Sequence, residues 1–432
     1  MFRCFLAGRP TKNRAKIAQK NMEYDTIVIG AGLAGLTAAN ARAARGERVL
    51  LLAKGHGACQ WASGCVDLLD APEHPLAAIA QLAAKHPLHP YARVGPAALH
   101  GGLKLLQSAC SKMGYPLVGS PTQTLRLPTA LGALRPTSLV PLTMVAGEAR
   151  QLAAGGPLLI AGFRALRDFF PPLIAANLRT QGFPATSCYL TMPNSERQRD
   201  FTPMNLAHLF ERPAFRENVA QQLRAHVRQG GYTRIGLPAV LGLHHAVTVV
   251  QALQQTSNAL IFEIPTPPTS IPGMRLAHAL EQAARQAGVH IQLGSWVVRG
   301  SGSQKRLETI YSAAAAREQR HHAQHWVLAT GGILGGGIRR EPQGALRETA
   351  LGLPVHSPSQ ANEWFHPHLF APGGHPIFQA GIATDQHLRP LDAAGQIMYT
   401  NVMIVGSALA HCDPLREGCR EGIAVATGYK ES

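Results

Sequence analysis

Gly30-Ala31-Gly32-Leu33-Ala34-Gly35 is the stretch of this chain best suited to chemistry, and that chemistry is the holding of phosphoryl groups. It follows an apolar run, Thr26-Ile27-Val28-Ile29, that reads as a buried parallel strand, and it precedes Leu36 to Arg45, which reads as a helix. Gly30 permits the tight turn, Gly32 without a Cβ lets the backbone approach a phosphate, and Gly35 lets helix and strand pack closely. The free N–H groups of the helix start, with its dipole, then favour an anion. A glycine-rich turn with no ligand is the bland alternative; the strand–turn–helix context argues for dinucleotide-type binding.

Two more glycine clusters follow apolar strands. His325 to Thr330 runs into Gly331-Gly332, and Val402 to Val405 runs into Gly406. In a doubly wound sheet the strand C-termini open on one crevice, so one long cofactor can touch all three clusters. The end of the second strand usually carries Asp or Glu for an adenosine ribose; here it is Ala53 followed by Lys54, which favours a mononucleotide. Lys54 can reach a phosphate or simply point into water. Asp413 precedes Pro414 and a final helix starting near Arg416 or Gly418, and can cap that helix. Arg275, Arg339 and Arg340 are candidates for a phosphate-bearing substrate. His366, His368 and His375 are candidate bases, although each residue type is more often structural or on the surface.

Positioning these groups requires an α/β framework. A βαβ unit spans 24–53, with strands 24–29 and 48–53 around helix 33–45. Residues 75–114 read as helical with proline breaks. Further strands are expected at 157–162, 235–240, 259–264, 289–299 and 306–316, with helices over 163–180, 203–229, 245–257 and 274–287. The fold class is therefore a Rossmann-like doubly wound parallel sheet interrupted by a second α+β domain. The expected division is a basic head at 1–22, a first nucleotide-binding part at 23–75, a mixed region with the insert at 76–320, and a C-terminal nucleotide-binding part at 321–432.

With 432 residues and 46% hydrophobic content the chain can bury a large core, and it shows no apolar run long enough for a transmembrane helix. The formal net charge is +16. The head carries Arg3, Arg9, Lys12, Arg14, Lys16 and Lys20 without an acid, so the body is still +10 without it. Met22 would be a natural translation start. The bias is spread along the chain, with no basic stripe interleaved with aromatics, so nucleic acid is not expected as a partner. Seven cysteines, with no CxxC and no zinc-finger spacing, fit a reducing compartment and no resident metal.

The order of motifs resembles flavoproteins of the fumarate reductase type, and more specifically the family of B-type subunits of anaerobic glycerol-3-phosphate dehydrogenase. The resemblance rests on Asp25 through Gly35, Ser63-Gly64-Cys65-Val66-Asp67-Leu68-Leu69, Gly162-Phe163-Arg164, Arg167 to Phe170, Asn177-Leu178, Glu263-Ile264-Pro265, Pro272 to Leu276, His375-Pro376, Ala380-Gly381, Asp413-Pro414 and Gly418-Cys419. Arg420-Glu421 stands where that family usually continues glycine-rich. The resemblance implies FMN as cofactor, with FAD the alternative, and implies that Ser63 and Gly64 pass near the phosphate or the flavin ring. It implies glycerol 3-phosphate oxidation to dihydroxyacetone phosphate, with electrons passed toward quinone. The implied partners are a catalytic flavoprotein and an iron–sulfur membrane-anchor subunit, in a cytoplasmic complex held peripherally at the inner membrane. The rival readings are a self-sufficient fumarate reductase-like FAD oxidoreductase, a flavin-bearing RNA-binding protein and a cofactor-free scaffold.

Overall fold

A computed structural model describes residues 24–71, 73–192, 201–314 and 317–431; the basic head and Met22 lie outside them. The chain opens with β1 (Tyr24–Ala31), α1 (Leu33–Ala44) and β2 (Val49–His56). Ile27-Val28-Ile29 and Val49 to Ala53 are continuous apolar runs, which is what strands covered on both faces need. The helical stretch over 75–114 resolves into α2 (Pro75–Lys85) and α3 (Pro90–Lys112), the latter kinked at Gly95 ahead of Pro96. Four short strands, β3 (Leu117–Gly119), β4 (Leu125–Pro128), β5 (Leu134–Thr137) and β6 (Leu139–Pro141), and α4 (Ala149–Ala154) lead into the insert.

The insert has its own parallel sheet. It contains β7 (Leu158–Phe163), α5 (Pro171–Thr180), β8 (Ala185–Leu190), α6 (Pro203–Phe210), α7 (Pro213–Gly230), β9 (Arg234–Pro238), α8 (Ala246–Ser257) and β10 (Leu260–Ile264). The strand order is β10-β9-β7-β8. The helix expected over 163–180 is confined to 171–180, because Pro171-Pro172 supplies the first turn of a helix and does not interrupt one. The insert's apolar core draws on residues 152–271, a narrower region than 76–320.

The chain then returns to the first sheet through α9 (Ile271–Gln286), β11 (His290–Leu293), β12 (Trp296–Ser303), β13 (Arg306–Ala314) and β14 (Arg317–Leu328). A small hairpin, β15 (Ile338–Arg340) and β16 (Leu346–Glu348), precedes β17 (Val402–Ile404) and α10 (Arg420–Tyr429). Among the described residues this sheet runs β11-β2-β1-β14-β13-β12, with β17 also paired to β14. The run β11-β2-β1-β14-β17 is parallel throughout, and β12 and β13 form an antiparallel ribbon. The helices α1, α9, α3 and α10 pack together on the sheet.

A buried ion pair joins the two units. Arg275 on α9 donates from both terminal nitrogens to Glu263 on β10, at 2.6 and 2.9 Å, and from Nε to the Gly242 carbonyl at 2.8 Å. Glu263 also accepts from Thr143 Oγ1 and from the Leu241 N–H. Arg275 is thus a structural residue, corrected from its candidacy as a substrate-phosphate binder. The insert's own switch point lies between β7 and β9, where a parallel sheet would offer a nucleotide site. There Glu211 Oε1 accepts from the N–H groups of Leu243, His244 and His245 just before α8. Burial works against the charge on Glu211, but the three amides outweigh it and hold its pKa below the ordinary carboxylate range. The amides that would bind an anion are taken by the protein's own carboxylate.

Candidate functional site

A cleft of about 1130 Å³ runs along the C-terminal edge of the first sheet. Its wall passes from Ser295–Val298 beyond β11, through Lys54–Ala58 at the end of β2 and Gly30–Ala34 at the end of β1, to Thr330–Gly336 after β14 and Val405 after β17. Four strand spacings of about 4.8 Å make this edge about 19 Å long. That order follows from the parallel topology, which delivers each strand's C-terminus to the same side.

The opening turn is built to receive an anion. Gly30 adopts φ +116°, and a Cβ there would strike the Ala329 carbonyl. A Cβ on Gly35 would strike the Gly30 carbonyl. Gly32 differs: it is extended, caps α1 with no side chain, and a Cβ on it would meet no atom within 4 Å. Leu36 N–H is the first to bond back, to the Gly32 carbonyl at 2.9 Å. The amides of Leu33, Ala34 and Gly35 therefore have no partner within the helix, and no acidic residue sits in its first turn. This open cradle, with Lys54 on the neighbouring wall, fits the phosphoryl groups of a nucleotide cofactor.

Gly30, Gly32, Lys54, Gly331 and Gly332 line the cleft. Gly35 and Gly406 stand behind its wall; Gly406 packs on Ala34, and its N–H donates to Thr427 Oγ1 at 2.9 Å. Ser63 and Gly64 are corrected. Ser63 Oγ accepts from Cys65 N–H and Arg135, and Gly64, at φ +81°, lies against Pro272, so both serve packing, and neither lines the cleft although the adjacent Ala62 does. Asp413 is also corrected. It is buried and accepts from the Leu415 and Arg416 amides, so it caps the turn before α10, whose own N-cap is Cys419. His375 spends one ring nitrogen on the His366 N–H and the other on the Leu369 carbonyl, a loop pin and not a free base.

Sequence reading missed the stretch Ser295–Val298, the walls at Phe365 and Phe378, and the ion pair Arg420–Glu421 (2.6 Å), all of which line the cleft. Arg339 lines it too, while Arg340 turns away over the ring of Trp364.

Beside α10, His89, Glu417 and Cys419 place ligand-type atoms within 4.8 Å of one another. The protons decide what this cluster is. His89 Nδ1 accepts from the Tyr91 N–H, so Nε2 carries the ring proton and donates to Glu417 at 2.9 Å. Cys419 donates to the same oxygen at 3.3 Å. A metal-bound Nε2 would leave the Tyr91 amide facing a proton, so the trio works as a hydrogen-bond network. Burial opposes the charge on Glu417, but His89 and the other donors prevail and lower its pKa. A carboxylate depressed in the folded state stabilises above its unfolded pKa, and that contribution is lost as pH falls through the folded value. Acid unfolding monitored by circular dichroism below pH 4.5 should therefore be less steep in Glu417→Gln, which should be less stable than wild type at pH 7.

The family model described as an FAD binding domain matches residues 25–423. A protein of Pectobacterium atrosepticum, named as the B-type subunit of anaerobic glycerol-3-phosphate dehydrogenase, is 32% identical over 420 residues, covering 94% of this chain and 96% of that one. A Yersinia pestis protein of the same name is 31% identical over 418 residues, at 94% and 96% coverage. This chain belongs to the family of B-type subunits of anaerobic glycerol-3-phosphate dehydrogenase. Its cofactor is a flavin, and the cleft residues fit one. Of solved structures, 3-ketosteroid Δ1-dehydrogenase from Sterolibacterium denitrificans matches with a TM-score of 0.45 at 11% identity, over 94% of this chain and 98% of that one. No helix among the described residues is long and apolar enough to cross a membrane.

Proposed function

We propose that this chain is the flavin subunit of a complex that oxidises glycerol 3-phosphate to dihydroxyacetone phosphate and passes the electrons toward quinone. The observation that carries this reading is the chain-long likeness to relatives of that name, joined to a nucleotide cleft that keeps every glycine its turn requires. The companions in this reading are a catalytic flavoprotein and an iron–sulfur membrane-anchor subunit, with the complex at the cytoplasmic face of the inner membrane.

We assign FAD, in preference to the FMN favoured by Ala53-Lys54. The cleft exceeds the 300–1,000 Å³ usual for small-molecule sites and continues past β2 to Ser295–Val298, which gives an adenosine moiety a place to lie. When bound, the flavin supplies the two-electron acceptor. The amides of Leu33 and Ala34 and the Lys54 ammonium would hold its phosphoryl groups, and the apolar walls would keep water away from it. Acid release from purified protein, followed by chromatography, should yield FAD at one per chain; FMN alone would reverse the assignment. Anaerobic glycerol 3-phosphate should bleach the flavin absorbance of the assembled complex. Reduction by the isolated chain of fumarate, with no response to glycerol 3-phosphate in the complex, would favour the fumarate reductase-like alternative.

A further inference from the structure

The phosphoryl grip at the start of α1 divides the cleft into two arms. One runs past β2 to Ser295–Val298, where the adenosine moiety is assigned. The other runs past β14 and β17, so the flavin ring belongs there. α10 borders this second arm. Its Gly428 lies against Ala34 and Thr37 in the first turn of α1, and Ala424, Glu421 and Arg420 follow along the cleft wall. Arg420 is eight residues from Gly428, about 12 Å at 1.5 Å per residue, which is the span of a ribityl chain and the near half of a flavin ring. A side pouch joins Arg420 to Phe378, Ser407 and Pro414 beyond β17, on the side away from Ser295.

Arg420 is held at one end and open at the other. Its Nε and one terminal nitrogen donate to Oε1 of Glu421, at 2.9 and 2.6 Å. The Glu421 side chain is 9% exposed and that of Arg420 39%, so the carboxylate is the buried anchor and the guanidinium the accessible end. Among the described residues, three of its five N–H donors remain for a ligand. The backbone adds two more. The Gly422 amide is spent on the Asp67 carbonyl and the Ile423 amide on that of Cys419, while those of Arg420 and Glu421 meet no acceptor among the described residues. The other cationic groups of the cleft stand elsewhere: Lys54 and His56 at the end of β2, and Arg339 on the β15 hairpin. Glu421 is the one acid that lines it among the described residues.

We propose that Arg420, with Glu421 as its positioning residue, stands beside the pyrimidine edge of the flavin and sets its reduction potential. This role rests on the proposed flavin reading. Uptake of two electrons and one proton gives the ring one extra negative charge, and a fixed cation in a cleft of low dielectric favours that state. Glu421 offsets part of the same positive charge, so the two side chains move the potential in opposite directions. A pair that only held the fold together would move it in neither.

The test loads the full chain with FAD and reads the reduction potential of the bound flavin by dye equilibration without oxygen, with the dissociation constant of oxidised FAD and the melting temperature measured alongside. Arg420→Gln should bind reduced flavin at least tenfold less favourably relative to oxidised flavin, a fall of about 30 mV for this two-electron couple. Glu421→Gln should raise the potential, because the guanidinium loses its counter-charge. Arg420→Gln/Glu421→Gln should return close to the wild-type value, and Arg420→Lys should keep most of it. An unchanged potential in both single variants would overturn the proposal, as would shifts of the same sign in both. So would equal weakening of both flavin states in Arg420→Gln, the mark of an anchor only, or a fall in Arg339→Gln with Arg420→Gln silent. A wild-type chain that takes up no FAD would sink the flavin reading, and this inference with it; uptake with unmoved potentials sinks this inference alone.

Discussion

Gly32→Glu should give a folded chain that has lost its flavin. Gly32 has extended backbone at φ −77°, which any residue can adopt, and an added Cβ there meets no protein atom within 4 Å. The new side chain enters only the space the cofactor uses, and brings a negative charge to the helix start where the amides favour an anion. Flavin affinity should fall by at least 100-fold, about 2.7 kcal/mol, while the circular dichroism spectrum of the apo chain is unchanged. Gly30→Ala makes the contrast. At φ +116° and against the Ala329 carbonyl, even a methyl group displaces backbone, so this variant should lose stability as well as flavin. A Gly32→Glu chain that still purifies yellow would show that the phosphoryl groups lie elsewhere.

Arg275→Met should be among the most destabilising single changes in the chain. It leaves the Glu263 carboxylate buried with only Thr143 and the Leu241 amide, at a cost of about 3–5 kcal/mol. Arg275→Lys should rescue little, because one ammonium cannot serve both carboxylate oxygens and the Gly242 carbonyl. Glu263→Gln/Arg275→Met should be more stable than Arg275→Met alone, because the second change removes the uncompensated charge. Since the pair joins α9 to the insert, calorimetry should show the loss first in the transition of the insert. A double variant no better than the single would mean the pair is not the joint.

The opening unit was legible because its signals are local. Continuous apolar residues in β1 and β2 need no distant partner to be recognised, and the glycine pattern of the turn is written within six residues, although the backbone that crowds Gly30 is that of the distant Ala329. Gly331-Gly332 was legible for the same reason, at the end of a buried strand. Contacts between distant segments were not. That β11 lies beside β2, bringing Ser295–Val298 to the cleft, depends on a crossover with no signature in either strand. Gly64 misled because a positive φ is demanded equally by a ligand turn and by packing, and here the neighbour is Pro272. Arg275 misled because a buried guanidinium is betrayed only by its partner, and Glu263 sits across a proline-rich loop in the other unit. His375 looked like a free base until the loop that consumes both its nitrogens was in view.

The central claim is that the main-chain amides at the start of α1 grip a flavin nucleotide in the cleft across the first sheet. Titration of deflavinated protein with FAD, followed by visible absorbance and thermal melting, tests it most directly. One equivalent should saturate the absorbance change, and FAD at 100 times its dissociation constant should add about 2.7 kcal/mol of stability, seen as a raised melting temperature. A well-folded chain that takes up neither FAD nor FMN and melts at the same temperature with or without them would contradict the account.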